Sequence, residues 1–266
     1  MLSTPMYSAS GLGNQLSNYV TVRTLALDKG FEFGVQFPER FKGLSFMNLD
    51  MGLPVLNGVT EVEGDTPKTL PDGFTAYYRE KMINSGDYDP DIFNVEDNTL
   101  IHGNLQGIEY YKHRRKEIQE WLKVEPLELP ENLCIINFRG GEYKYVKDFF
   151  LPIHYWLEAI RIMREINNDM QFEIHTDDPE EARKFFPDFK IVKDIEINWR
   201  TLRYCHYAIL SNSSFAILPI FLNDNVKEVI APWGFGRYNT GEWLLRQNYN
   251  PQWTWLNRLG ELCYTL

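Results

Sequence analysis

The run Cys134-Ile135-Ile136-Asn137-Phe138-Arg139-Gly140-Gly141 decides the fold: a short apolar stretch stops abruptly at a cation and two glycines. A segment this short and this apolar reads as a strand buried on both faces, and the glycines mark the point where the chain must turn. The same event recurs downstream. Gln171 to His175 ends at Thr176-Asp177-Asp178, and Tyr207 to Leu210 ends at Ser211-Asn212-Ser213-Ser214-Phe215. Ile191-Val192 and Glu228 to Ala231 are further short apolar strands. Between them the apolar residues fall at helical spacing, predicting helices over about Ile153 to Ile166, Glu180 to Phe186, near Thr201, and Ser213 to Leu222. Strands alternating with crossover helices make an α/β fold around a parallel sheet covered on both faces.

Upstream the pattern is weaker. Gly11-Leu12-Gly13-Asn14-Gln15 leads into a helix with Leu16, Tyr19, Val20, Ala26 and Leu27 on one face, closing at Gly30, and Phe31 to Phe37 reads as a strand. Lys42 to Asn98 is broken by Pro54, Pro67, Pro71 and Pro90 and carries no clear period. Order returns with a strand at Leu100 to Gln106 and a helix from about Tyr110 to Leu122. Val124 to Asn132, with Pro126 and Pro130, reads as a linker. The expected organisation is therefore a first domain over 1–125, a second over 126–245, and a tail over 246–266 that packs back on the first.

The whole chain has 266 residues, 44% of them hydrophobic, which is enough for two modest cores. A net charge of -10 argues against nucleic acid or an anionic membrane as partner, since both demand a basic face. No stretch approaches the length of about 20 apolar residues that spans a bilayer, and Met1 to Ser10 lacks the zones of a signal peptide, so the expected compartment is the cytoplasm. Cys134, Cys205 and Cys263 are far apart and odd in number, and read as reduced thiols.

Ligands of open parallel sheets bind beyond the carboxyl ends of the strands, which directs attention to the three strand ends above. Arg139 offers a planar fork suited to a diphosphate, beside glycines that let backbone approach. Ser213 and Ser214, where a strand turns into a helix, offer free backbone amides, hydroxyls and the positive end of the helix dipole. Asp177 and Asp178 can accept paired hydrogen bonds from guanine, while Asp178 before Pro179 equally fits a helix cap. Glu142 is a candidate base for an acceptor hydroxyl. Together these features suit a nucleotide diphosphate. Asp87-Tyr88-Asp89 has the spacing of a metal-binding pair but follows no apolar strand, and the five histidines show no ligand spacing, so neither a metal nor another cofactor is expected.

Taken in order, these segments resemble glycosyltransferase family eleven, the alpha-1,2-fucosyltransferases, and the wider fucosyltransferase group. Gly11-Leu12-Gly13-Asn14-Gln15-Leu16 with Tyr19 resembles the amino-terminal glycine motif, and Gly103-Asn104-Leu105-Gln106 with Tyr110 and Tyr111 the middle segment. Asn137-Phe138-Arg139-Gly140-Gly141-Glu142-Tyr143 stands where that family has His-x-Arg-Arg-Gly-Asp-Tyr. Phe172 to Asp178, Cys205 to Phe215, and Val229-Ile230-Ala231-Pro232 match the later motifs. Asn137, Gly140 and Glu142 depart from the family pattern, as do Ala216-Ile217-Leu218 where tryptophans are usual. The resemblance implies a GT-B-like fold of two Rossmann-like domains facing across a cleft, a GDP-sugar donor such as GDP-fucose, an oligosaccharide acceptor, inversion at the sugar carbon and no metal. It also implies donor contacts from Asn14, Gln15, Asn137 and Phe215. Transfer of another GDP-sugar, or nucleotide and glycan binding without turnover, are the alternatives.

Overall fold

A computed structural model describes residues 1–55, 73, 75–78, 88–103, 105–146, 149–236, 243–245 and 250–263. The chain divides into two compact units, Met1–Lys123 and Val124–Leu266.

The first unit is built on four strands, β1 (Leu2–Pro5), β2 (Phe33–Gln36), β3 (Thr75–Tyr78) and β4 (Thr99–His102). They lie in the order β2-β1-β4-β3 with every pairing parallel. The helix α1 (Leu12–Lys29) connects β1 to β2, and it stops because Gly30 takes a left-handed conformation at φ 69° that returns its amide to Ala26 and Leu27. The sequence reading finds no convincing strand before Gly11. The structure places β1 there, fully buried at the centre of the sheet. Its Ser3, Thr4 and Pro5 give it little strand character, so pairing with both neighbours is what makes it a strand. The expected helix over Tyr110 to Leu122 is shorter: α2 spans Arg115–Trp121, preceded by two turns of tighter helix at Ile108–Tyr110 and Lys112–Arg114.

The second unit holds a six-stranded sheet. Its strands are β5 (Leu133–Phe138), β6 (Gln171–Thr176), β7 (Lys190–Val192), β8 (Tyr207–Ile209), β9 (Glu228–Pro232) and β12 (Thr254–Leu256), in the order β12-β9-β8-β5-β6-β7. Every pairing is again parallel. A separate two-stranded ribbon, β10 (Gly234–Gly236) and β11 (Trp243–Leu245), is antiparallel. The crossover helices are α3 (Ile153–Ile166), α4 (Pro179–Phe185), α5 (Ile195–Tyr204) and α6 (Ser214–Leu222). The expected α/β class with a Rossmann-like parallel sheet thus holds in each unit. Within the tail, β12 pairs with β9 and extends the second sheet.

Alternation along β5 divides the core of this unit into two layers. Cys134, Ile136 and Phe138 meet Tyr155, Trp156, Ala159 and Met163 of α3. Leu133 and Ile135 meet Leu202 of α5 and Ala216 and Ile220 of α6. Burying one such large side chain contributes roughly 1.5–3 kcal/mol. Cys134 and Cys205 are free and buried, and burial pushes both thiols up, Cys205 to about 12. Cys263 Sγ donates to the carbonyl of Glu261 at 3.7 Å.

Asn223 closes the turn after α6 by donating to the carbonyls of Leu202 and Cys205 at the end of α5, at 3.0 and 2.8 Å. The Leu202 carbonyl also accepts from Cys205 Sγ at 3.6 Å, whereas the Cys205 carbonyl depends on the Asn223 amide. We expect Asn223→Ala to cost about 2–3 kcal/mol, from two lost bonds and the stranded Cys205 carbonyl, read as a shift in the urea midpoint.

Candidate functional site

The sheet order reverses between β5 and β8: from β5 the chain moves outward through β6 and β7, then returns to lay β8, β9 and β12 on the other side. At such a switch point the connecting helices leave in opposite directions, opening a crevice at the carboxyl edge. A cavity of about 310 Å³ lies there, within the range of small-ligand sites. Four strand ends line it: Asn137 to Arg139 at the end of β5, His175 to Asp177 at the end of β6, Lys193 to Ile195 after β7, and Ser213 and Phe215 after β8. Asn198, one turn into α5, completes the wall.

Arg139 is placed by its neighbours. Its Nη1 meets Asp177 Oδ2 at 2.5 Å and its Nη2 donates to Glu142 Oε1 at 2.7 Å. The guanidinium also lies 5.1 Å over the ring of Tyr143. Burial works against its charge, but Asp177, Tyr143 and Glu142 hold its pKa above the ordinary value. Burial in turn pushes the Tyr143 hydroxyl up to about 12. Gly140 donates its amide to Asp177 Oδ1 at 3.0 Å. A side chain at Gly140 would put a carbon 2.6 Å from Asp178 Cβ, and Gly141 sits at φ 30°, so both glycines serve this turn.

Asp178 has a different task. Its Oδ1 caps α4 through the amide of Glu181 at 3.1 Å, and its Oδ2 takes Lys144 Nζ at 2.5 Å. The Lys144 hydrogen bond holds its carboxyl below the usual range. Neither oxygen is free for a base, and Asp178 is not among the residues lining the cavity. The cap alternative thus holds for Asp178. Asp177 does line the cavity, with its oxygens occupied by Arg139 and Gly140.

The other expected residues divide similarly. Asn137 faces the cavity, and its Oδ1 accepts from Ser211 Oγ at 2.9 Å, tying the ends of β5 and β8 together. Ser213 is the N-cap of α6, its hydroxyl accepting from Phe215 N. Ser214 and Glu142 are not in the lining. In the first unit, Gln15 is fully used inside the fold: Nε2 donates to the carbonyls of Tyr7 and Arg40, and Oε1 accepts from Lys42 N, each at 2.9 or 3.0 Å. Gln15 thus ties Tyr7 to the segment at Arg40 and Lys42. Asn14 Oδ1 accepts from Gln106 Nε2 at 2.8 Å. Asp89 caps a short helix through Asp91 N, while Asp87 lies outside the described residues.

Lys193, Asp194, Ile195 and Asn198 are the wall that the sequence reading overlooks. The signal was present, because Lys193-Asp194 follows the strand Ile191-Val192 directly, as Arg139 follows β5. His175 and Asn198 are 0% and 8% exposed, and His175 Nδ1 and Asn198 Oδ1 have no hydrogen-bond partner. His175 Nε2 lies 2.9 Å from Glu173 Oε1, and since a carboxylate only accepts, the proton sits on Nε2. In the neutral ring Nδ1 is then an acceptor. Both residues line the cavity, while these two atoms are themselves buried and unpartnered, an arrangement that costs free energy in the fold.

The hydrogen bond from His175, with that from Lys190, lowers the Glu173 carboxyl to about 2. A depressed carboxyl stabilises the fold above its ordinary value of 4.5 and loses that contribution as pH falls toward 2. In Glu173→Gln we expect the wild-type decline in stability between about pH 4.5 and 2 to be shallower, measured by urea unfolding across that window.

No family model matches the chain, and no curated protein matches it. Among solved structures it is similar to NodZ alpha-1,6-fucosyltransferase soaked with GDP-fucose, at 14% identity over 83% of this chain and 92% of that one, TM-score 0.47. It is also similar to fucosyltransferase NodZ from Bradyrhizobium, at 15% identity over 83% and 92%, TM-score 0.43. The E. coli heptosyltransferase WaaC with ADP is similar at 10% identity over 98% of this chain and 95% of that one, TM-score 0.44. Among the described residues no helix is long and apolar enough to cross a membrane.

Proposed function

We propose that the chain is a glycosyltransferase that draws its sugar from a nucleotide diphosphate donor, with GDP-fucose the leading candidate, and that the cavity at the β5–β8 switch point holds the nucleotide. The observation that carries this reading is the convergence of four strand ends on one cavity, with Arg139 and the start of α6 at its edge and two unpartnered acceptors in its wall.

Guanine presents two adjacent donors, N1–H and the 2-amino group, whereas the matching edge of adenine presents an acceptor. His175 Nδ1 and Asn198 Oδ1 suit the donor-rich base and take over the role that Asp177 and Asp178 had in the sequence reading. Asn137, Ser213 and Phe215 border the remainder of the donor. The resemblance to alpha-1,2-fucosyltransferases supports fucose as the sugar, a GT-B-like arrangement and an oligosaccharide hydroxyl as the acceptor.

In the proposed reaction the acceptor oxygen attacks the anomeric carbon on the face opposite the diphosphate. The bond from that carbon to the β-phosphate oxygen breaks, its electron pair leaving with GDP, and the acceptor proton passes to a base for which Glu142 is the candidate. Diphosphate is already a good leaving group, so the largest contribution comes from donors aimed at its growing charge: Arg139 and the amides at the start of α6. Such a donor is worth roughly 3–4 kcal/mol. For Arg139 to act, phosphate must exchange with Asp177 or Glu142 on the guanidinium.

We expect Arg139→Ala to slow transfer about 100- to 1000-fold, measured as acceptor-dependent GDP release, and turnover near wild type would sink the assignment. Screening GDP-fucose against GDP-mannose in the same assay identifies the sugar. Calorimetry should find GDP bound well above ADP and UDP, with Asn198→Ala about 10-fold weaker for GDP. Equal binding of the three nucleotides would overturn the base assignment. Because Arg139 is held by two carboxylates, binding without turnover is the competing reading, and it predicts GDP affinity with no sugar transfer from any donor tested.

A further inference from the structure

Arg139 is the cation that the sequence singles out, yet its charge is already met. Asp177 takes Nη1 and Glu142 takes Nη2, leaving Nε as its one nitrogen without a partner, and that atom is buried. Lys144, the next cation along the chain, is held by Asp178. Around the cavity the charged side chains are Arg139 and Lys193 against Asp177 and Asp194, which leaves no net positive charge for a diphosphate. Asp194 is itself committed, its Oδ1 capping α5 through Ile197 N at 2.8 Å. Lys193 differs from all of these: it lines the cavity, is exposed, and among the described residues has neither an ion pair nor a hydrogen bond.

From this we infer that Lys193 supplies the mobile positive charge that meets the diphosphate of the donor, so that the phosphate grip is shared between the end of β7 and the end of β5. The inference rests on the proposed nucleotide reading and adds a binding residue to it. A flexible ammonium on a four-carbon stem suits this role, because it can follow a phosphate without breaking any existing contact. Arg139, by contrast, must first give up a carboxylate. Lys193 therefore makes the first favourable contact with the anion, and the binding it supports depends on salt in proportion to its exposure.

The test compares ligands that share a base and differ in phosphate. Calorimetry of wild type and Lys193→Gln is run with GDP, GMP and guanosine at low and moderate salt. We expect Lys193→Gln to weaken GDP about 10-fold, to leave guanosine unchanged, and to flatten the salt dependence of GDP binding. Lys193→Arg should restore most of the affinity, and Lys193→Glu should weaken GDP further. The melting temperature should be unchanged in all three, since the side chain holds nothing in the fold. If Lys193→Gln binds GDP like wild type, or loses guanosine and GDP equally, the inference is overturned. A wild-type protein that binds none of the three ligands overturns instead the nucleotide reading on which it rests.

Discussion

In a parallel sheet every strand delivers its last residue to the same edge, and β5 is the strand against which the others in the second unit are set. It is hydrogen-bonded on both sides, to β6 over six residues from Leu133↔Gln171 to Phe138↔Thr176 and to β8 over three. That registry brings Arg139, Asp177 and Ser213 to one edge although they are far apart in the chain. A slip of one residue would turn Asn137 toward the α3 layer and take Phe138 out of it, because strand side chains alternate faces. The aromatic packing of Phe138 on Phe150, Trp156, Phe185 and Phe186 opposes such a slip.

The polar groups at this edge are joined before any ligand arrives. Ser211 donates to Asn137, Gly140 and Arg139 donate to Asp177, and Lys144 donates to Asp178. These contacts fix the turns after β5, β6 and β8 relative to one another. They also consume most of the hydrogen-bonding capacity of the polar residues at these strand ends. Among the described residues that line the cavity, His175 Nδ1, Asn198 Oδ1 and Arg139 Nε remain without a hydrogen-bond partner, as does the exposed Lys193. The division has a physical basis: a turn with unmet polar groups would be costly in the empty protein, whereas a cavity can leave acceptors unmet if binding later repays them.

The legibility of the fold followed the strength of its local signals. The bounds of α3, Ile153–Ile166, match the sequence expectation, and β5 and β8 differ from theirs by a single residue, because apolar runs and helical spacing repeat without interruption there. β1 escaped because Leu2-Ser3-Thr4-Pro5 has no apolar run of its own and becomes a strand only between two partners. β12 escaped for the same reason: Thr254–Leu256 is three residues long, and its place in the second sheet comes from pairing with β9.

By itself the sequence determined the alternation of strands and helices, the parallel class, and Arg139, Asp177 and Ser213 as residues delivered to a strand end. Each is a local property, fixed by periodicity and by what immediately follows an apolar run. Only the tertiary structure decided which polar residues were already spoken for. Asp178 with Lys144 and Gln15 with Arg40 and Lys42 are bonded across 34, 25 and 27 residues, and no local pattern records such pairings. The same holds for the cavity wall, since His175, Lys193 and Asn198 come to line one cavity only when β6 and β7 lie side by side and α5 follows at their ends.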